Sequence, residues 1–422
     1  MADPVRLRAE RLATASSCCG FLGEVTLTDS AVIILFAGML GAGDALSMIT
    51  TSVLPLLNGL CIIPMAGLAM KIGMRRQILR ACFCASAAYF TAVASPFFGE
   101  AGVMVLIASV FLFAFSLTGF IAGWFPLLDT FLEPERRTLF FSRMRFCHQL
   151  SGTVFLFLVG FVIGGNPPVW GLQLVLLAAA VIFTGRAAAI SRIPVFEGRQ
   201  NESAGFLSGL NTAVGNKPMA GFSLYFFLLN LTAFGTVPLM MLYLKNGLNA
   251  PDNVIVLISA CSLSGMLFGH LCIERLLKRI GMKHTFLLLH FIFFAVNGGL
   301  FLIGGRSMAT YLLIAFFLLV YSFAAAASSI VASAEMMKLA SPGNKIMAMA
   351  FNGAFFYGGS GLSRFLTSLL LGSGMFAAEW QFGATTVCRY RTFLLLYCAA
   401  ILLAAPFLLL VPAVNSGKSN KP

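Results

Sequence analysis

The sequence predicts an all-α integral membrane protein: twelve transmembrane helices in two pseudo-symmetric bundles of six. Three observations carry this. First, 59% of the 422 residues are apolar and 10% are charged, with a mean hydropathy of +0.92. Soluble domains are about 45–50% apolar and about 25% charged. Second, the apolar residues gather into twelve runs, most of them at or above the roughly 20 residues that carry a helix across a bilayer. Third, a basic glycine turn recurs, with Gly281 lying 208 residues after Gly73, close to half the chain. This composition excludes a soluble enzyme, a disordered chain and a disulfide-stapled secreted module.

The runs fall at about 12–40, 46–70, 77–97, 103–131, 146–165, 169–191, 219–244, 253–277, 283–304, 309–337, 345–373 and 392–413. The first holds Glu24 and Asp29. Starting it after Asp29 would leave only Ala31 to Leu40 before Gly41-Ala42-Gly43-Asp44, too short to cross, so the longer span is expected. Arg6, Arg8 and Arg11 precede Cys18-Cys19 without an apolar stretch between them, so a cleaved or lipidated leader is not expected.

Lys and Arg fix the orientation. The net charge is +13, from 28 Lys+Arg and 15 Asp+Glu. With the N-terminus inside, 23 cations fall on inner segments and four (Lys245, Arg306, Arg389, Arg391) on outer ones, with Arg364 inside a span. Such a bias places both termini in the cytoplasm. It also explains the basic excess without nucleic acid. The domains expected are a six-helix bundle over 1–191, a polar linker over 192–218, a second bundle over 219–413 and a tail over 414–422. The ten cysteines lie mostly in apolar runs, read as free thiols. They follow no metal spacing, and no metal or cofactor is expected.

Lys71-Ile72-Gly73-Met74-Arg75 after the second span is matched by Arg279-Ile280-Gly281-Met282-Lys283 after the eighth. Pro134 and Pro342 share the same offset. Glycine permits the tight backbone between antiparallel helices. The flanking cations, Arg76 included, suit helix C-termini and anionic head groups.

With Leu68 and Ala69, the first of these turns resembles the loop motif Gly-x-Leu-Ala-Asp-Arg-x-Gly-Arg-Arg/Lys of the major facilitator superfamily. Ala66, Met70 and Met74 depart from it. Asp129-Thr130-Phe131-Leu132-Glu133-Pro134-Glu135-Arg136, continuing to Arg143, is similar to the family's Asp…Pro-Glu-Arg…Arg pattern. The resemblance spans essentially the whole chain. It implies alternating access between two halves. It also implies a cytoplasmic gate in which Asp129, Glu133 or Glu135 faces Arg75, Arg76, Arg136 or Arg143, because Met70 cannot supply the family's acid. Lys71, Gly73, Arg279, Gly281 and Lys283 belong to the same gate.

Ionisable groups inside the membrane are costly and so are candidates for function. Glu24 lies 13 residues past Arg11, about 20 Å along a helix. Desolvation disfavours a charged carboxyl in hydrocarbon, which suits such a group to proton exchange. The competing reading is a structural hydrogen bond. Thr28 shares the face of Glu24, and Asp29 turns about 140° away. Arg364 either snorkels, pairs structurally or meets an anionic group. Asn230, Thr232 and Asn352 are further cavity candidates. His148, near a helix end, reads first as a solvated or capping residue, and second as a proton relay. No cluster of nucleophile and base or of metal ligands appears, so an enzyme is not expected.

The function expected is a proton-coupled secondary transporter, symporter or antiporter, of a small organic solute, with sodium as the other candidate ion. Its setting would be a bacterial inner membrane, as a monomer. The alternatives are a passive facilitator, an efflux transporter of amphipathic compounds and, more remotely, a receptor or assembly protein.

Overall fold

The computed structural model describes residues 3–133, 136–194, 196, 206–341, 344–383 and 385–410. Glu135, Pro134, Pro342 and most of the expected linker lie outside them. The helices are α1 (Pro4–Thr28), α2 (Ala31–Met39), α3 (Asp44–Ile72), α4 (Met74–Ala94), α5 (Gly102–Asp129), α6 (Arg137–Val162) and α7 (Val169–Ser191) in the first half. The second half has α8 (Phe206–Gly215), α9 (Lys217–Ala233), α10 (Thr236–Leu242), α11 (Asp252–Leu302), α12 (Met308–Leu339) and α13 (Lys345–Gly372). A hairpin of β1 (Glu379–Phe382) and β2 (Thr385–Cys388) then leads into α14 (Arg389–Ala404).

Among the described residues, nine helices are long and apolar enough to cross a membrane, or ten with the bent α1–α2 pair. One of the nine, Met74–Asp129, holds two spans that meet at Gly99 (φ 55°). The 28-residue α13 is also long enough to cross. The order is that of the twelve expected spans.

Local chemistry sets the ends. Asp3 caps α1 through the Val5 N–H, with Pro4 in the first turn. The first run is not one straight helix, which corrects the expected span. It begins eight residues before the apolar stretch and breaks after Thr28, where the Ser30 hydroxyl caps α2. Its two parts bend by 43°. Gly73 (φ 90°) turns α3 into α4, and Gly281 (φ 76°) divides α11 into antiparallel arms. Both are left-handed positions that suit glycine. The 192–218 segment contains a helix, α8, which the sequence did not suggest. Asn344 Nδ2 of the C-terminal half donates to its Gly209 carbonyl at 2.8 Å.

The end carrying the start of α1, Gly73 and Gly281 is termed the basic end, and the opposite end the far end. The halves meet along α3 with α13 and α6 with α11. Along the first seam the contacts run from Ala45 with Gly372, through Leu56 with Gly361 and Gly59 with Gly358, to Ile62 with Gly353. A Cβ at Gly361 would lie 2.4 Å from Leu56 N, so α3 and α13 touch backbone to backbone there. Along the second seam Asp252 N–H donates to Gly165 O at 2.8 Å, and Gln149 Nε2 to Leu263 O at 3.1 Å.

Both described ion pairs that join the halves lie toward the far end: Asp29–Arg364 and Asp44–Arg389. Asn246 Nδ2 reinforces the second by donating to Asp44 at 2.6 Å. At the basic end the described ion pairs Arg6–Glu133, Arg136–Glu10, Arg137–Asp129 and Lys338–Glu335 each stay within one half. The molecule is latched at the far end.

Gly361→Val should therefore push α13 off α3, at a cost of about 1–3 kcal/mol from overpacking. Gly38→Ala, with open space around it, should not. Thermal unfolding measures the first effect. Faster maleimide labelling of a Thr51→Cys probe in the Gly361→Val background would report the opened seam.

Candidate functional site

Glu24 forms an ion pair with Arg186 of α7. The Arg186 residue is 3% exposed, and its guanidinium lies over the Phe120 ring at 4.1 Å from the centroid. It fits because α1 offers bare backbone: a Cβ at Gly20 would lie 1.7 Å from Arg186 Nε. The Arg186 Nε and Nη1 atoms have no hydrogen-bond partner among the described residues. By sequence position Arg186 is one of the 23 cations of the inner segments. It stands five residues before the end of α7, far enough inside the bundle to meet α1.

Asp29, five residues beyond Glu24, pairs across the seam with Arg364 at 2.7 Å. The same guanidinium donates from Nε to Phe234 O at 3.2 Å and from Nη1 to Thr51 O at 2.9 Å. These two carbonyls have a common origin. A carbonyl in a helix accepts from the N–H four residues on, and proline has none. Four residues after Thr51 is Pro55, and four after Phe234 is Pro238. Arg364 thus satisfies two carbonyls orphaned by proline, one in each half, while neutralising Asp29. It is 8% exposed and does not snorkel outward. Asp29, Ser30, Thr51, Pro238, Met241 and Ser259 line a small cavity at this junction.

Nearer the basic end, His148 hydrogen-bonds Ser17 Oγ through Nδ1 at 3.1 Å and stacks on Phe21 at 4.6 Å between centroids. It faces α1 within the bundle, not the solvent. Arg145, one turn before it, His270 of α11 and Arg186 all act on it electrostatically. Tyr357 of α13 feels both Glu24 and Arg145. Five helices from both halves therefore bring charged or polar groups to one interior region. Among the described residues, no three His, Cys, Asp or Glu are placed to hold a metal ion.

The other expected cavity groups make bonds within their own half, and Asn230 Oδ1 is left without a partner among the described residues. Thr28 bonds back to the Glu24 carbonyl at 2.7 Å, and Thr232 to Leu229 O at 2.9 Å. The buried Asn230 donates to Phe356 O at 3.1 Å. Asn352 accepts from Ser223 Oγ at 3.5 Å inside the C-terminal half.

With the halves joined at the opposite end, the expected gate residues have other partners. Asp129 pairs with Arg137, and Arg136 makes a two-pronged bond to Glu10 at 2.9 Å on both prongs. Glu133 lies 3.9 Å from Arg6. Arg75 donates to Ser191 O at 2.7 Å. Arg76 and Arg143 are exposed, as are Lys71, Gly73, Arg279 and Gly281, with Lys283 half-buried. Two of these pairs depend on the N-terminal extension of α1, which brings Arg6 and Glu10 to Glu133 and Arg136 at the α5–α6 turn.

Arg364→Lys should keep the charge and lose the fork, because one ammonium cannot reach three acceptors set in different directions. The expected outcome is a lower thermal midpoint and faster labelling of a far-end cysteine at Ala45. A variant as stable and as protected as the parent would show that the charge alone suffices.

The fold and sequence have clear relatives. The structure aligns with that of a mutant of the nucleoside transporter NupG at TM-score 0.72 and 15% identity, covering 97% of this chain and 100% of that one. A D-xylose-proton symporter aligns at TM-score 0.71 and 11% identity, covering 99% of each chain. A bacterial homologue of the iron transporter ferroportin in an inward-facing state aligns at 0.65 and 14%, covering 96% of this chain and 97% of that one. No curated protein matches the sequence. The sequence itself matches the Major Facilitator Superfamily over residues 15–363, and the chain belongs to that superfamily of membrane transporters.

Proposed function

We propose that the protein moves a small organic solute across a bacterial inner membrane by alternating access, with Glu24 coupling transport to protons. The basic end faces the cytoplasm in this reading, because cations concentrate there. The structure then corresponds to a state latched on the outside. Domains divided near 192–218 would rock about the α3–α13 and α6–α11 seams. The xylose-proton symporter and the nucleoside transporter of like fold support a small solute as cargo.

The observation that carries the proton role is the place of Glu24. It is a partly buried carboxylate on α1, paired with Arg186 and within electrostatic reach of Tyr357 in the other half. Adding a proton to Glu24 removes one side of that pair and leaves a buried guanidinium to find another. Protonation state and conformation are then linked, because a proton that prefers one state shifts the equilibrium toward it.

The test is solute-dependent proton flux into proteoliposomes, followed with an entrapped pH dye over a panel of nucleosides, pentoses and organic acids. Glu24→Gln keeps the shape but cannot release a proton. It should abolish accumulation and solute-linked proton flux while leaving solute exchange partly intact. Accumulation equal to the parent with the same pH dependence would make the Glu24–Arg186 pair structural and the protein a passive or sodium-coupled carrier.

A further inference from the structure

We infer that the interior region nearer the basic end binds an organic anion, with Arg145 as the residue that holds its charge. The inference rests on the transporter reading and names its substrate class. The charges at the interface of the halves do not balance. Three arginines have a carboxylate: Arg186 has Glu24, Arg364 has Asp29 and Arg389 has Asp44. Arg145 has none among the described residues. Its electrostatic neighbours are Tyr357, His148 and His270. An unpaired guanidinium inside a membrane bundle is costly unless something supplies the counter-charge.

The surroundings fit a mobile counter-ion. Arg145 lies within the bundle yet keeps exposed surface, as a group lining a wet cavity does. His270, and Arg186 on the other side of their shared neighbour His148, carry buried donors or acceptors without a partner: Nδ1 of His270, and Nε and Nη1 of Arg186. Arg186 is 3% exposed, so its spare N–H groups see no bulk water. These groups come from both halves, since Arg145 and Arg186 stand on α6 and α7 and His270 and Tyr357 on α11 and α13. A carboxylate or phosphate accepting from Arg145 would meet a planar fork suited to it. The exposed cations at the rim, Arg76 and Arg143 among them, would raise its local concentration. Lipid head groups explain the rim cations, but Arg145 is inside the bundle.

The test is thermal unfolding of the purified full-length protein with three matched pairs at constant ionic strength: succinate and succinamide, benzoate and benzamide, glucose 6-phosphate and glucose. At least one anion should raise the midpoint while its neutral partner does not. Arg145→Gln should weaken that anion's apparent affinity by about tenfold or more, the range of a charge-assisted hydrogen bond. Arg306→Gln, exposed beyond the far end of α11, should leave it unchanged. Equal stabilisation by the neutral partners, stabilisation by none of the six, or an unaltered Arg145→Gln response would overturn the inference.

A second measurement needs no ligand. A His270→Cys thiol should react faster with an anionic than with a cationic methanethiosulfonate, each rate taken relative to a free thiol, and Arg145→Gln should reduce that preference. The reverse preference would overturn the inference. Anion binding without proton flux would sink only the coupling role of Glu24. Proton flux with neutral solutes alone would sink only this inference.

Discussion

The closed far end depends on the Arg364 guanidinium. Backbone groups inside a bilayer have no water to fall back on, so each broken helix must find substitutes for its lost hydrogen bonds. Three helices lose backbone bonds around Arg364: α1 ends at Asp29, α3 carries Pro55 and α9 ends at Phe234. Arg364 answers all three from α13. The fork geometry matters as much as the charge, since the donors leave Nε and Nη1 in fixed directions. Without it, two carbonyls would sit at the seam unsatisfied and the exposed Asp29 carboxylate would lose its counter-charge.

The breaks also explain how the two halves are alike and how they differ. Asp29-Ser30 stands 208 residues before Val237-Pro238, the same offset as between Gly73 and Gly281. The first helix of each half is therefore interrupted at equivalent depth by different means. In α1 the Ser30 side chain caps a new helix. In the second half Pro238 removes an N–H. Discontinuous helices at matched positions are where transporter sites form, because freed backbone groups and helix ends are available there. The cavity lined by Asp29, Thr51 and Ser259 occupies that place, but the guanidinium already fills its electrostatic demand. The unbalanced charge lies nearer the basic end, around Arg145.

The spans and the two glycine turns were legible because hydropathy and turn chemistry are local properties. Gly73 and Gly281 needed only their neighbours to be read. The pairings were not legible, because they depend on which faces meet. Arg186 looked like a loop cation because it stands only five residues from Ser191. The glycines at positions 20 and 23 of α1, which clear space for α7, give no hint of their partner. The partners of Glu133 and Arg136 were not legible because α1 begins eight residues before the apolar run. Its extra turns carry Arg6 and Glu10 to Glu133 and Arg136. The hairpin at 379–388 was hidden in a short polar stretch between spans. Arg364 had a usable signal, since Pro55 and Pro238 each advertise an orphaned carbonyl four residues earlier.

Alternation has to trade one set of charges for another. Opening the far end breaks Asp29–Arg364 and Asp44–Arg389, and water entering there can solvate the freed Thr51 and Phe234 carbonyls. Closing the basic end is harder, because the facing surfaces are positive: Arg75, Arg76 and Arg143 on one half, and Arg275, Arg279 and Lys283 on the other. Among the described residues, the acids that pair nearby, Glu10, Asp129, Glu133 and Glu335, each do so within one half. Like charges brought together cost free energy, and the cost grows as water is expelled. On the proposed reading, an anion on Arg145 lowers that cost at the point where the halves converge. The empty carrier lacks it and stays open to the basic end. The cargo's charge then does two things at once, securing binding and permitting closure, which ties movement of the halves to occupancy of the site.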